Sequence, residues 1–251
     1  MVAASRAFHQ TGSIDRNGEF VICETDPIAR ELLASNGYAI VELFTPEEIA
    51  EMLGVWTTLS DSMGVIWDPR GFFTSAGGEE WRAAVDDALA EHAATVASKF
   101  EEYEVFLSAF LVKARGAGVI TPHIDWSFAD EGVHPTYNCW VATSEIGPDS
   151  GALGIIPGSH HLVDFPRGAM DQRIEWASET FEDQAGEAVS IHLDAGQAVI
   201  YDNKLIHFSA PNATDSERVV SSFGLAHQSD RLAARAVLDD GIAELHELAS
   251  S

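Results

Sequence analysis

The sequence predicts a mainly β protein with flanking helices, and three observations carry that expectation. Short apolar runs recur after residue 103: VFLSAFLVKA, YNCWVATSEI, ALGIIPGS, AVSIHL, QAVIYDN and VVSSFGLAHQ, punctuated by Gly, Pro, Asn and Asp. Many short strands with frequent turn signals describe a β-sandwich or barrel. Before them, residues 26–100 carry helix patterns with caps and stops. No internal repeat or low-complexity tract divides the 251 residues, so the chain reads as one domain, 1–251.

Residues 1–25 show no clear period. The segment DPIARELLASNGY then reads as a helix with Asp26 as N-cap, Pro27 in the first turn and Gly37 as the stop. AIVELF is a short strand. TPEEIAEMLGVWTTLSDSM opens the next helix, with Thr45 as cap, Pro46 at its first position and carboxylates in its first turn. A third helix is expected over EEWRAAVDDALAEHAATVASKF. Residues 26–100 thus form a mostly helical support, 103–228 the β core, and 229–251, ending DRLAARAVLDDGIAELHELAS, a C-terminal helix. The overall expectation is helices packed on a distorted β-barrel.

Charge and composition exclude several functions. The formal net charge is −26, with only 14 Lys and Arg. Such a surface repels phosphate backbones and anionic headgroups, which argues against nucleic-acid and membrane-surface partners. No apolar run reaches membrane-spanning length, and MVAASRAFHQTGSIDRNGEF has no apolar signal-peptide core, so a cytoplasmic location is expected. Two cysteines, Cys23 and Cys139, give neither a disulfide framework nor a zinc knuckle. A small molecule is the expected partner, and the oligomeric state is left open.

His123-Ile124-Asp125 places an imidazole and a carboxylate two residues apart, on one face if the segment is a strand. A second His from a distant strand would complete a 2-His-1-carboxylate set, which leaves adjacent metal positions open and suits Fe(II) oxygenases. His207, in YDNKLIHFSAPN, ends an apolar strand and is the candidate. Arg218 follows eleven residues later, after the turn PNATDSE. A guanidinium held there can clamp a carboxylate in bidentate fashion. A co-substrate that chelates iron at one end and carries a carboxylate at the other would span the two, and 2-oxoglutarate has that form. A second H-x-D, His192-Leu193-Asp194, reads as a coincidence, because Asp194-Ala195-Gly196 is a turn that ends its strand.

The stretches NGYAIVELFTPEEI, TPHIDWSF, CWVATSEIGPDSGALGIIPGSH, DAGQAVIYDNKLIHFSAPN and the following Arg resemble the phytanoyl-CoA dioxygenase family over about residues 35–225. The resemblance implies a double-stranded β-helix, or jelly roll, with helices on one sheet. It implies iron ligands at His123, Asp125 and His207, and Arg218 and Ser209 on the far carboxylate of 2-oxoglutarate. Trp140 is implied to line the co-substrate pocket. It also implies Fe(II), 2-oxoglutarate and O2 as reactants, with ascorbate as a supporting reductant, and a dioxygenase that hydroxylates a small molecule while releasing succinate and CO2. Relatives that halogenate carry Gly or Ala in place of the carboxylate ligand; Asp125 is retained here.

Substrate contacts are sought among Lys113, Trp126 and Phe128, and more weakly among Arg115, Phe72, Phe73 and Trp56. Lys113 and Arg115 are scarce positive charges on the strand before the H-x-D, placed to meet an anionic group. Alternation with Asp125 predicts that Trp126 and Phe128 face away from the metal. The adjacent His160 and His161 point to opposite sides and are not read as ligands. His134 and His227 read as structural histidines, and Gly151, Pro157 and Gly158 as turn residues. The competing function is a non-catalytic binding or sensor protein on a jelly-roll scaffold, which would not need the Arg218 clamp.

Overall fold

The computed structural model describes residues 27–129, 131, 133–169, 173–238 and 241–247. The expected caps at Asp26 and the cysteine at position 23 lie outside them. In chain order the elements are α1 (Pro27–Asn36), β1 (Tyr38–Glu42), α2 (Pro46–Met63), β2 (Phe72–Thr74), α3 (Glu79–Ala88), α4 (Ala90–Ala97), β3 (Tyr103–Lys113), β4 (Ile120–His123), β5 (Tyr137–Ala142), β6 (Leu153–Ile155), α5 (Ile174–Gln184), β7 (Val189–Ile191), β8 (Gln197–Asp202), β9 (His207–Ser209), β10 (Arg218–His227), β11 (Ala233–Leu238) and β12 (Gly241–Glu247).

The helix ends follow their local chemistry. α1 stops where Gly37 takes φ +79° and its N–H returns to the Leu33 carbonyl at 3.0 Å. α2 starts on a complete capping box: Glu48 N–H donates to Thr45 Oγ1 at 3.3 Å, and Thr45 N–H donates to Glu48 Oε2 at 2.8 Å. The single helix expected over 79–100 is instead two, α3 and α4, broken at Leu89 (φ −102°, ψ 11°). Leu89 is fully buried, and the break turns α4 against β3 and β10.

The strands form a six-stranded antiparallel sheet, ordered β1-β8-β5-β10-β3-β2, and a four-stranded one, ordered β4-β9-β6-β7. From β3 to β10 the chain deals strands β3, β5, β8 and β10 to the first sheet and β4, β6, β7 and β9 to the second. That distribution is a jelly roll. β1 and β2 extend the larger sheet at its two edges.

Both faces of the larger sheet are buried, and side-chain alternation sorts its residues. On β5, Cys139 and Val141 join the helix-side core with Met52, Trp56, Val85 and Phe110, while Trp140 and Ala142 join the inter-sheet core with Leu153, Ile155 and Ile191. β8 divides in the same way, Ala198 and Ile200 outward and Val199 and Tyr201 inward. Burial on both faces explains why these strands read as unbroken apolar runs. None of the described helices is long and apolar enough to cross a membrane.

Among the described residues of 229–251 the expected C-terminal helix is not formed. β11 and β12 pair antiparallel instead, with Leu238 opposite Gly241. Its Ala, Leu and Glu residues favour a helix locally, but the cross-strand pairing of the two short runs prevails over that local preference. Two short elements had no counterpart in the sequence reading: β2 and the helix α5, IEWASETFEDQ, which packs on β4. Replacing Thr45 by Ala should remove one half of the α2 capping box. Calorimetry should then show a loss of about 1 kcal/mol and a midpoint lower by roughly 2–4 °C.

Candidate metal centre and its cavity

The pairing of β4 with β9 sets His123 directly opposite His207, with ring centroids 4.2 Å apart. β4 ends at His123. The next side chain, Ile124, is fully buried on the other side against Ile156, Ala177 and Ile206. Asp125 then returns to the histidine side, its N–H donating to the Asn203 carbonyl at 3.0 Å. Asp125 Oδ1 lies 3.5 Å from His207 Nε2. One ligand atom from each of His123, Asp125 and His207 falls within 4.8 Å of the others.

Neighbouring groups orient all three side chains. His123 Nδ1 is 2.8 Å from the Thr121 carbonyl and His207 Nδ1 is 3.0 Å from the Leu205 carbonyl. A carbonyl only accepts, so each Nδ1 carries the proton and each Nε2 keeps a lone pair for a metal. Burial, reinforced by the adjacent His207, pulls the His123 pKa down to about 4, so its ring is neutral near pH 7. Asp125 Oδ2 accepts from Tyr201 Oη at 3.0 Å and from Asn138 Nδ2 at 3.4 Å, leaving Oδ1 toward His207. Burial, with the Asp125 charge, raises the Tyr201 pKa well above its usual value and keeps it a donor. Two imidazoles and a carboxylate converging from one side could hold a divalent metal with adjacent positions open.

A buried guanidinium holds the Asp125 segment in place. Arg167, 5% exposed, donates from Nη1 to the carbonyls of Asp125 and Asn203, both at 2.8 Å. Its Nε and Nη2 grip the two oxygens of Glu131. Asn203 is tied in turn to Thr136 through its side chain and its N–H. Neither Arg167 nor Tyr201 stood out in the sequence, because each acts through contacts across 36 or more positions.

The inner face of β10 carries Arg218, directly across from Lys113 on β3. Arg218 Nη1 donates to the Gly151 carbonyl at 2.8 Å and lies 3.5 Å from Ser209 Oγ, and its guanidinium sits 5.1 Å from the Trp140 ring centroid. Its Nε is buried without a partner. Lys113 Nζ donates to Ser209 Oγ at 2.9 Å, to the Ser209 carbonyl at 3.2 Å and to the Ala210 carbonyl. Burial, and then the charge of Arg218, brings the Lys113 pKa down to about 7; burial lowers that of Arg218 to about 10. Among the described residues no carboxylate pairs with either cation. A buried guanidinium backed by an amine so placed could receive an anion. Gly151 is required beside it: its φ is +76°, and a Cβ there would lie 2.9 Å from Lys113 Cδ.

A cavity of about 240 Å³ joins these parts, lined by His123, Asp125 and His207, by Trp140, Ser209 and Arg218, and by Phe72, Trp126 and Phe128. Several substrate-contact expectations need correction. Lys113 does not line it; the side chain is wholly buried behind Ser209. Arg115 is exposed and faces Asp215 at 3.3 Å. Phe73 and Trp56 pack together in the helix-side core. Trp126 and Phe128, expected to face away, line the cavity, because strand alternation ends at His123. The second H-x-D stays apart: His192 and Asp194 are exposed on either side of buried Leu193. His160 contacts the Ala34 carbonyl at 3.3 Å. His134 and His227 stack at 3.7 Å beside Asp230, a second cluster that does not line the cavity.

The family model "Phytanoyl-CoA dioxygenase (PhyH)" matches residues 33–220. The chain belongs to the phytanoyl-CoA dioxygenase family. A curated relative, phytanoyl-CoA dioxygenase domain-containing protein 1 of Danio rerio, is 28% identical over 128 residues. The match covers 47% of this chain and 43% of that protein, so it spans less than half of the relative's length. Among solved structures, the carbocyclase SnoK from nogalamycin biosynthesis aligns with TM-score 0.65 at 16% identity, covering 90% of this chain and 94% of that one. The epimerase SnoN, in complex with Fe3+, alpha ketoglutarate and nogalamycin RO, aligns at 0.64 and 20%, covering 89% and 94%. EvdO2 from Micromonospora carbonacea var. aurantiaca, complexed with 2-oxoglutarate, aligns at 0.57 and 18%, covering 90% and 96%. At these identities the likeness establishes a shared fold.

Two variants probe the supports of the centre. Tyr201→Phe removes one bond to Asp125 and should weaken Ni(II) binding by about 10- to 100-fold in calorimetric titration, with the fold retained. Arg167→Met leaves Glu131 buried and unpaired and should cost about 3–5 kcal/mol in urea unfolding, part of which the added Glu131→Gln change should restore.

Proposed function

We propose that this protein is an Fe(II)- and 2-oxoglutarate-dependent oxygenase that hydroxylates an unactivated C–H bond of a small-molecule metabolite, with succinate and CO2 as co-products. The observation that carries this reading is the meeting, in one cavity, of the His123–Asp125–His207 triad and a buried Arg218 with no carboxylate partner among the described residues. Family membership supports it, as do the iron and alpha ketoglutarate bound by SnoN and the 2-oxoglutarate bound by EvdO2. The solved neighbours also include an epimerase and a carbocyclase, so hydroxylation rests on the retained Asp125 and on the commonest use of such a site.

In this reading His123, Asp125 and His207 hold the metal. Bound iron supplies the activation of O2 that couples oxidation of 2-oxoglutarate to oxidation of the substrate. The chain does the rest by positioning. Thr121 and Leu205 carbonyls fix the two imidazoles in one tautomer, and Tyr201 and Asn138 fix the carboxylate. Arg218, with the unpartnered Nε as an available donor, takes the far carboxylate of 2-oxoglutarate beside Ser209, and Trp140 packs on the guanidinium. Lys113 adds positive charge from behind Ser209. The apolar remainder of the cavity keeps bulk water from the reacting groups.

Succinate formation with Fe(II), ascorbate, O2 and 2-oxoglutarate tests the proposal. The wild-type protein should release succinate, and Asp125→Ala and His207→Ala should lower it by at least about 100-fold. Full turnover in either variant would sink the ligand assignment, whereas metal and 2-oxoglutarate binding without any succinate would favour a sensor. Arg218→Gln should raise the KM for 2-oxoglutarate by about 100-fold or more. An anion bound beside Ser209 favours the charged form of Lys113, whose pKa is brought down to about 7. Co-substrate affinity should therefore be highest below that pH and fall as pH rises above it, with the slope flattened in Lys113→Met.

A further inference from the structure

The cavity beyond the triad has a defined chemical character. Phe106 and Phe128 meet edge to face at 5.8 Å, and Phe128 meets Trp126 edge to face at 6.2 Å. All three line the cavity, so β3 and the segment after β4 present one continuous aromatic surface. Several polar neighbours on these walls are turned to one another, while Trp126 Nε1 and Asn203 Oδ1 are buried without a partner among the described residues. Ser222 Oγ donates to Asn138 Oδ1 at 2.8 Å, Asn138 Nδ2 reaches Asp125, and Thr74 Oγ1 accepts from the Ala76 N–H at 3.2 Å.

Charge is equally committed. The bases among the described lining residues are Arg218, at the anion receptacle, and Arg70. Arg70 is already bound by Asp68, with Nε donating to Oδ2 at 2.7 Å. Asp68 is itself locked by the N–H groups of Arg70 and Phe72, and these bonds hold its pKa below the usual value. Among the described lining residues no cation without a partner is left to meet phosphates, and the chain's net charge of −26 repels them from outside. One further feature makes room for a ring. Gly224, on the inner face of β10, faces Phe106, and a Cβ there would lie 3.0 Å from the Phe106 ring.

We infer that the substrate is an uncharged molecule carrying an aromatic ring system, seated on the Phe106–Phe128–Trp126 surface, and not an acyl-CoA thioester. The inference rests on the oxygenase reading for naming this cavity the substrate site. The chemistry of recognition rests on the cavity itself: rings pair with rings edge to face or offset, and such pairs add to plain apolar burial. An acyl-CoA brings several phosphate charges that would be desolvated here without partners.

Isothermal titration of the full-length protein with flavanone, dodecanamide and dodecanoyl-CoA tests this. Flavanone should bind at least about tenfold more tightly than the other two. Phe128→Ala should weaken flavanone by about tenfold by removing the middle ring, and Gly224→Val should weaken it similarly by crowding Phe106. Equal or tighter binding of dodecanoyl-CoA or dodecanamide overturns the inference, as does absence of flavanone binding or an affinity unchanged in both variants. Uptake of Co(II) and 2-oxoglutarate is measured separately by equilibrium dialysis. A protein that takes flavanone selectively but fails to load both of these sinks the oxygenase reading and leaves the selectivity of the cavity standing.

Discussion

The short antiparallel pairing of β4 with β9 is the interaction on which the rest depends. It sets His123 across from His207 although 84 residues separate them in the chain. Asp125 is added by a single main-chain bond to Asn203 and by the burial of Ile124 on the opposite side. The smaller sheet therefore supplies the two proposed histidine ligands from its neighbouring strands β4 and β9, and the segment just after β4 supplies Asp125. The larger sheet supplies the groups that orient Asp125, Tyr201 from β8 and Asn138 from β5, and further along it carries Arg218 on β10. A jelly roll is suited to this because its two sheets bring inner faces together with opposite chemistry.

Several buried charges are tolerated at the site, and each has a distinct resolution. Arg167 and Glu131 compensate each other and spend the spare donors on two carbonyls, which anchors a segment that regular strand pairing no longer holds. Among the described residues Lys113 and Arg218 have only carbonyl and hydroxyl acceptors, and burial lowers the pKa of both. The first pair braces the metal centre. The second stores a preference for an anion. Lys113 entered the sequence reading as a substrate contact and belongs instead to the wall behind Ser209, since its place on the inner face of β3 opposite Arg218 puts it inside the barrel.

Much of the β core was legible because burial on both faces of the larger sheet turns each strand into an apolar run bounded by turn residues. Helices α1 and α2 were legible from Gly37, Thr45 and Pro46, whose backbone and capping chemistry is local. The failures were those of local preference against long-range packing. Leu89 carries no mark of the break between α3 and α4, which follows from its burial. The Ala- and Leu-rich end of the chain pairs as β11 and β12, where helix propensity alone predicted a helix. Trp126 and Phe128 were assigned to the wrong face because alternation was extended past the end of β4.

By itself the sequence singled out the side chains proposed to carry the chemistry, His123 and Asp125 by their spacing and His207 and Arg218 by their place around one turn, and it showed a net charge of −26. Only the tertiary structure decided how those groups are held and what surrounds them. Tyr201 on Asp125, Arg167 on two carbonyls and the ring surface of Phe106, Phe128 and Trp126 exist only once distant strands and the segment after β4 have packed. The physical reason is range. Ligand type, caps and turns are written within a few residues, whereas hydrogen bonds and ring contacts across the barrel depend on which strands become neighbours.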